Sequence, residues 1–150
     1  MTVTTDKQTA ENSLNSSTAL IRKGIIAGLA GGLAFGSIMA FVGMLPMVGM
    51  LIQQEDALVG FLVHMVISAA IGAGFGGLMA LNTERRPIVT ILIGLVYGIF
   101  WWVFGALFLM PILLGMPENI FVVGQMQIDS LIGHLVYGFI LSIVVNMLPS

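Results

Sequence analysis

Four long apolar stretches, each free of charged residues, divide this chain of 150 residues. They cover residues 24–54, 57–83, 87–117 and 130–150. A helix needs about 20 apolar residues to cross a bilayer, so each stretch is long enough for one crossing. The pattern therefore predicts an all-α membrane protein with four transmembrane helices, at about residues 21–48, 57–81, 87–114 and 128–148.

The second and fourth stretches resemble one another at an offset of 70 residues. Five small or polar positions match in order: Gly60, His64, Ser68, Gly72 and Gly76 against Ser130, His134, Gly138, Ser142 and Asn146. The same offset relates the first stretch to the third, Gly24 and Gly28 to Gly94 and Gly98. The chain is thus predicted to form two tandem, duplicated helical hairpins. Hairpins of two helices insert the same way up, which predicts a pseudo-twofold axis along the membrane normal.

Composition and charge agree with a membrane protein and predict its orientation. Hydrophobic residues make up 58% of the chain and charged residues 8%, which excludes an ordinary soluble domain. Basic residues are retained on the cytoplasmic side, and here they precede the first helix or fill the turn between the second and third: Arg22, Lys23, Arg85 and Arg86. Both termini are therefore predicted to lie in the cytoplasm. The membrane itself is predicted to be an inner or plasma membrane. Residues 1–20 are polar and predict a disordered cytosolic tail before a transmembrane domain of residues 21–150.

The expected partner is the lipid bilayer, and the absence of a basic patch argues against nucleic acid. The chain has no cysteine, which excludes disulfides, thiolate metal sites and thiol catalysis. A row of glycines on the first helix predicts close packing of helices. This packing could occur within the bundle, in a homo-oligomer or in a larger membrane complex. The members of the row are Gly24, Gly28, Gly32 and Gly36.

The two histidines, His64 and His134, are the candidate site, because an ionisable side chain inside a membrane is costly and needs a reason. In one interpretation both stay neutral and hydrogen-bond across the bundle, to Ser68, Ser142, Tyr97 or Tyr137. In a second they are axial ligands of a b-type haem, in the space left by Ser68, Gly72, Gly138 and Ser142. In a third they mark a path for a small solute or a soft metal such as copper, with outer-side methionines Met44, Met47, Met50 and Met65.

Enzymatic functions are poorly supported by the sequence. The charge-free stretches contain no carboxylate for general acid–base chemistry, and no acid is placed to orient a histidine beside a serine. We therefore predict a non-enzymatic bundle that serves as a membrane-complex subunit, or as a carrier or pore for a small solute or metal ion. The alternative is a bis-histidine b-type haem protein in membrane electron transfer.

Overall fold

A computed structural model describes residues 2–82 and 86–149, and all regular structure in that part of the chain is helical. Arg85, assigned above to the cytoplasmic turn, lies outside the described residues. Four helical spans are long and apolar enough to cross a membrane: Leu14–Phe41, Ala57–Leu81, Pro87–Leu113 and Gln125–Met147. This finding confirms the predicted all-α class with four spans and supports a multi-pass membrane protein.

Helix α1 (Thr2–Phe41) begins much earlier than the sequence predicts. The described part of the segment predicted as a disordered tail is helical, so the predicted boundary near residue 21 is corrected. Extending an existing helix adds one hydrogen bond per ordered residue, and no glycine or proline interrupts residues 2–23. The hydroxyl of Thr18 donates to the carbonyl of Leu14 within this extension, and the apolar span itself begins at Leu14.

Helix α1 ends at Phe41 rather than at residue 48, because Gly43 reverses the chain. Gly43 has a φ of 73°, which glycine adopts without steric cost. The N–H of Met44 then donates to the carbonyl of Met39 at 2.9 Å, which closes a Schellman motif. Helix α2 (Leu45–Gly49) follows, and a 3₁₀ turn, Met50–Ile52, completes the connection.

The third span changes its helical geometry partway along. It consists of α4 (Pro87–Trp101), a π-helical segment, Trp102–Leu109, and α5 (Met110–Leu113). Pro111 has no N–H, so the carbonyl of Leu107 cannot be bonded in the α-helical pattern. The N–H of Phe121 donates to that carbonyl at 2.9 Å. This bond draws the connection after the third span back against it.

The helices pack in the order α3, α1, α6, α4, where α3 is Ala57–Leu81 and α6 is Gln125–Met147. Backbones approach one another closely at small residues, with Gly24 and Gly28 of α1 lying against Gly72 of α3. Gly94 of α4 lies in the same way against Gly138 of α6. Such contacts leave no room for a side chain, which is how small residues allow helices to associate in lipid.

We predict that Gly72→Ala destabilises the bundle whereas Gly77→Ala on the same helix does not. A Cβ at Gly72 would meet the backbone of Gly24 and Gly28, but a Cβ at Gly77 would meet nothing within 4 Å. Both substitutions gain about 1 kcal/mol of helix propensity. Overpacking should nevertheless lower the free energy of unfolding of the Gly72 variant by about 1–3 kcal/mol. Unfolding in detergent micelles measures the difference, and equal stabilities would contradict the packing described here.

Candidate functional site

A cavity of about 370 Å³ lies between the helices at the end of the bundle opposite the chain termini. Its walls come from the end of α1, from α2, from α3, from the second half of the third span and from the start of α6. The polar side chains on these walls are His64, His134, Ser130 and Gln127. The remaining lining residues are aliphatic, aromatic, methionine or glycine. The structure thus brings both predicted histidines to one apolar cavity.

The cavity exists because α3 and the third span are not packed closely against one another. Tyr97 of α4 bridges them, and its hydroxyl donates to the carbonyl of Ile71 at 2.8 Å. Beyond that bond, the π-helical wall carries the small residues Gly105 and Ala106. A Cβ at Gly105 would have only Trp101 close by. Small side chains on one wall therefore leave open space opposite α3.

His64 is held by the carbonyl of Gly32 on the neighbouring helix. Its Nε2 lies 3.0 Å from that oxygen, and the hydroxyl of Ser68 lies 3.4 Å from the same nitrogen. The side chain of Asp56 caps α3 two turns earlier by accepting from the N–H of Val59 at 2.9 Å, which fixes where the helix begins. Because a carbonyl oxygen can only accept, Nε2 is the nitrogen that carries the proton of the neutral ring.

His134 is held by its own helix. Its Nδ1 lies 2.8 Å from the carbonyl oxygen of Ser130, and the hydroxyl of Ser130 lies 3.3 Å from the same nitrogen. The carbonyl again assigns the proton, here to Nδ1. The two histidines therefore adopt opposite tautomers, and neither bonds Tyr97, Tyr137 or Ser142. The hydroxyl of Tyr137 donates instead to the carbonyl of Ser68 at 2.7 Å.

Each ring keeps one nitrogen without a proton, Nδ1 in His64 and Nε2 in His134. Neither nitrogen has a hydrogen-bond partner among residues 2–82 and 86–149. Within those ranges, the single buried side-chain nitrogen or oxygen that lacks a partner is Nε1 of Trp101. Both rings line the cavity, and the nitrogen that is not directed at a carbonyl is the one that each ring can offer to a ligand there.

Phe35 of α1 contacts both imidazoles, although the sequence offers no signal for this role. Its ring centroid lies 5.1 Å from that of His64 and 4.8 Å from that of His134, with interplanar angles of 86° and 62°. A haem with two axial histidines needs a flat macrocycle between the imidazoles. The phenyl ring of Phe35 already packs against both imidazole rings. The arrangement favours a ligand smaller than haem.

The small residues predicted to leave space beside the histidines do not line the cavity. Neighbouring helices pack against them: Gly28 and Gly32 lie at Ser68, Gly24 at Gly72, and Gly94 at both Gly138 and Ser142. Their positions are therefore filled by the backbones of α1 and α4, and the open space lies nearer the end of the bundle.

Two of the four predicted outer-side methionines line the cavity, Met44 and Met47. Met50 is 41% exposed, and Met65 is directed toward Gly32 of α1. Three further methionines also line the cavity: Met39, Met110 and Met126. Among the residues that the structure describes, no three His, Cys, Asp or Glu side chains are grouped to hold a metal. Any metal at this site would therefore rely on thioether sulfur as well as imidazole.

Comparison of the chain with protein families, with curated proteins and with solved structures finds no match. The cavity and its two histidines are therefore the basis for inferring a function.

We predict that ¹⁵N NMR of histidine-labelled protein in micelles shows two different neutral tautomers. His64 should carry its proton on Nε2 and His134 on Nδ1, because each proton is directed at a backbone carbonyl. Protonated and bare ring nitrogens differ strongly in ¹⁵N chemical shift, and His64→Phe and His134→Phe assign the signals. The same tautomer at both positions, or two cationic rings at neutral pH, would contradict the assignment.

Proposed function

We propose that this protein binds a small, mostly apolar molecule in the cavity between its helices, as a carrier or binding protein within the membrane. The observation that carries the proposal is the cavity itself, about 370 Å³ with apolar walls and four polar side chains. Binding sites for small molecules typically measure about 300–1,000 Å³ and combine apolar walls with a few polar groups. Within the described chain, no carboxylate lines it.

The position of the cavity favours a ligand that arrives from the lipid. It lies between α3 and the third span, two helices that are not closely packed against one another. Two of its lining residues, Ile67 of α3 and Leu113 at the end of the third span, are exposed on the apolar surface of the bundle. A molecule dissolved in the bilayer would reach the cavity between these helices without crossing water.

We further propose an orientation with both termini in the cytoplasm. Arg22 and Lys23 lie toward the end of the bundle that carries the termini, whereas Glu55, Asp56 and Glu118 lie in the connections at the opposite end. Retention of basic residues in the cytoplasm would place the cavity in the outer leaflet. The surrounding bilayer is the proposed partner of the exposed apolar surface, which would also be the surface for assembly into a homo-oligomer or a larger membrane complex.

We also infer that the two hairpins arose by duplication. Besides the offset of 70, both odd-numbered spans end at a left-handed glycine, Gly43 with a φ of 73° and Gly115 with a φ of 72°. The pairing of helices differs by one turn, however. Gly28 lies against the carbonyl of Ser68, whereas its counterpart Gly98 lies against the carbonyl of His134. Two duplicated hairpins whose helix pairing has shifted by one turn would account for the matching sequence positions and for the different glycine contacts.

Filling the cavity should weaken binding of an apolar probe such as 4-propylanisole. Ala106 lines the cavity and Val103 lies outside its lining on the same π-helical segment, 39% exposed. We expect Ala106→Phe to weaken binding at least tenfold, a loss of about 1.4 kcal/mol, and Val103→Phe to leave it unchanged. Quenching of Trp101 fluorescence in a Trp102→Phe background reports binding, since Trp101 lines the cavity. Equal binding by both variants, or failure of the parent protein to bind both this ether and the corresponding phenol, would refute the proposal.

Binding of Cu(I) is a second candidate function, favoured by five lining methionines and two bare imidazole nitrogens. Thioether and imidazole ligands suit Cu(I), and ligating histidines commonly donate their other N–H to a backbone carbonyl. A joint Met44→Leu and Met47→Leu substitution should lower Cu(I) affinity at least tenfold, whereas Met50→Leu should not. Titration against a competing Cu(I) chelator measures this, and a parent protein that takes no copper from the chelator would exclude this candidate.

A further inference from the structure

We infer that the ligand of this cavity carries a hydroxyl group, as a phenol or an alcohol does, and that the hydroxyl donates to a bare ring nitrogen of His64 or His134. This inference rests on the proposed function and narrows its ligand class. It follows from the hydrogen-bonding roles that the bundle leaves free in the cavity.

The histidines offer the cavity acceptors. The N–H of His64 is directed at the carbonyl of Gly32, and the N–H of His134 at the carbonyl of Ser130. A neutral imidazole has one donor and one acceptor, so the remaining nitrogen of each ring can only accept. A ligand that pairs with either ring must therefore supply the donor.

Neutral donors suit this cavity better than charged ones. No Asp, Glu, Lys or Arg of the described chain lines it, and its walls are almost entirely apolar. An ammonium group would enter without a counter-ion, and burying an unpaired charge is far more costly than burying a hydroxyl that makes a hydrogen bond. A hydroxyl supplies the donor without bringing a charge into the cavity.

The wall opposite α3 provides a complementary observation. Trp101 lines the cavity with its ring, whereas its indole nitrogen is buried away from the cavity. A hydroxyl oxygen can accept as well as donate, whereas a carbonyl or an ether oxygen can only accept. A ligand with acceptors alone would leave both imidazole nitrogens unpaired, and an unpaired polar group away from water is costly. The aromatic rings of Phe35 and Trp101 add a surface suited to an aromatic ligand.

The test compares 4-propylphenol with 4-propylanisole. The phenol has a hydroxyl hydrogen to donate, and the anisole has a methyl group in its place. Affinities of both probes are measured for the full chain in micelles by quenching of Trp101, in the Trp102→Phe background. The joint His64→Phe and His134→Phe variant provides the reference, because it has no imidazole acceptor. Its ratio of phenol affinity to anisole affinity therefore reports only the different partitioning of the two probes. The single variants then show which ring accepts.

We expect the phenol preference of the parent protein to exceed that of the reference variant by about 3- to 10-fold, the range of one net hydrogen bond. Retained binding of the anisole shows that a histidine variant is still folded. Equal ratios in parent and reference would overturn this inference while leaving the proposed function intact. A preference of the parent protein for the anisole would also overturn it. Failure of both probes to bind the parent protein would instead refute the proposed function.

Discussion

The close approach of α1 and α3 at their glycines is the constraint on which the rest of the structure depends. Lipid offers little hydrophobic drive for helices to associate, so contact at short range must hold them together. The same approach brings the carbonyl of Gly32 within 3.0 Å of Nε2 of His64. One packing contact therefore supplies the carbonyl that holds the His64 ring in place. It also sets Phe35, less than one turn further along α1, against both imidazoles.

The cavity results from the irregular geometry and packing of the third span. Pro111 interrupts the α-helical hydrogen bonds near its end, and the π-helical turns before it place small residues on the inner wall. The span packs against α6 and meets α3 mainly through Tyr97. Space thus remains where four tightly packed helices would have closed it. In a membrane, such space between helices is filled by side chains, by lipid or by a ligand, and its polar groups decide which ligand is suitable.

The spans and the two histidines were predictable from the sequence, because charge-free runs and isolated polar residues are local signals. Helix Ala57–Leu81 agrees with its predicted bounds, since Asp56 caps its start. The extension of α1 through the polar tail was not predictable, because polar composition indicates solubility rather than the absence of helix. The role of Phe35 and the cavity itself depend on which helices meet and in what register. No periodicity in a single sequence encodes that relationship.

The two histidines occupy matching positions in the sequence, yet the bundle uses them differently. In the first hairpin, His64 lies where α1 presents the carbonyl of Gly32 across the interface. In the second, the pairing of helices differs by one turn, and Nδ1 of His134 bonds the carbonyl of Ser130 within its own helix. The two hairpins thus differ both in the pairing of their helices and in the ring nitrogen that carries the proton. The cavity gains two acceptors of different geometry, which a symmetric pair of hairpins would not provide.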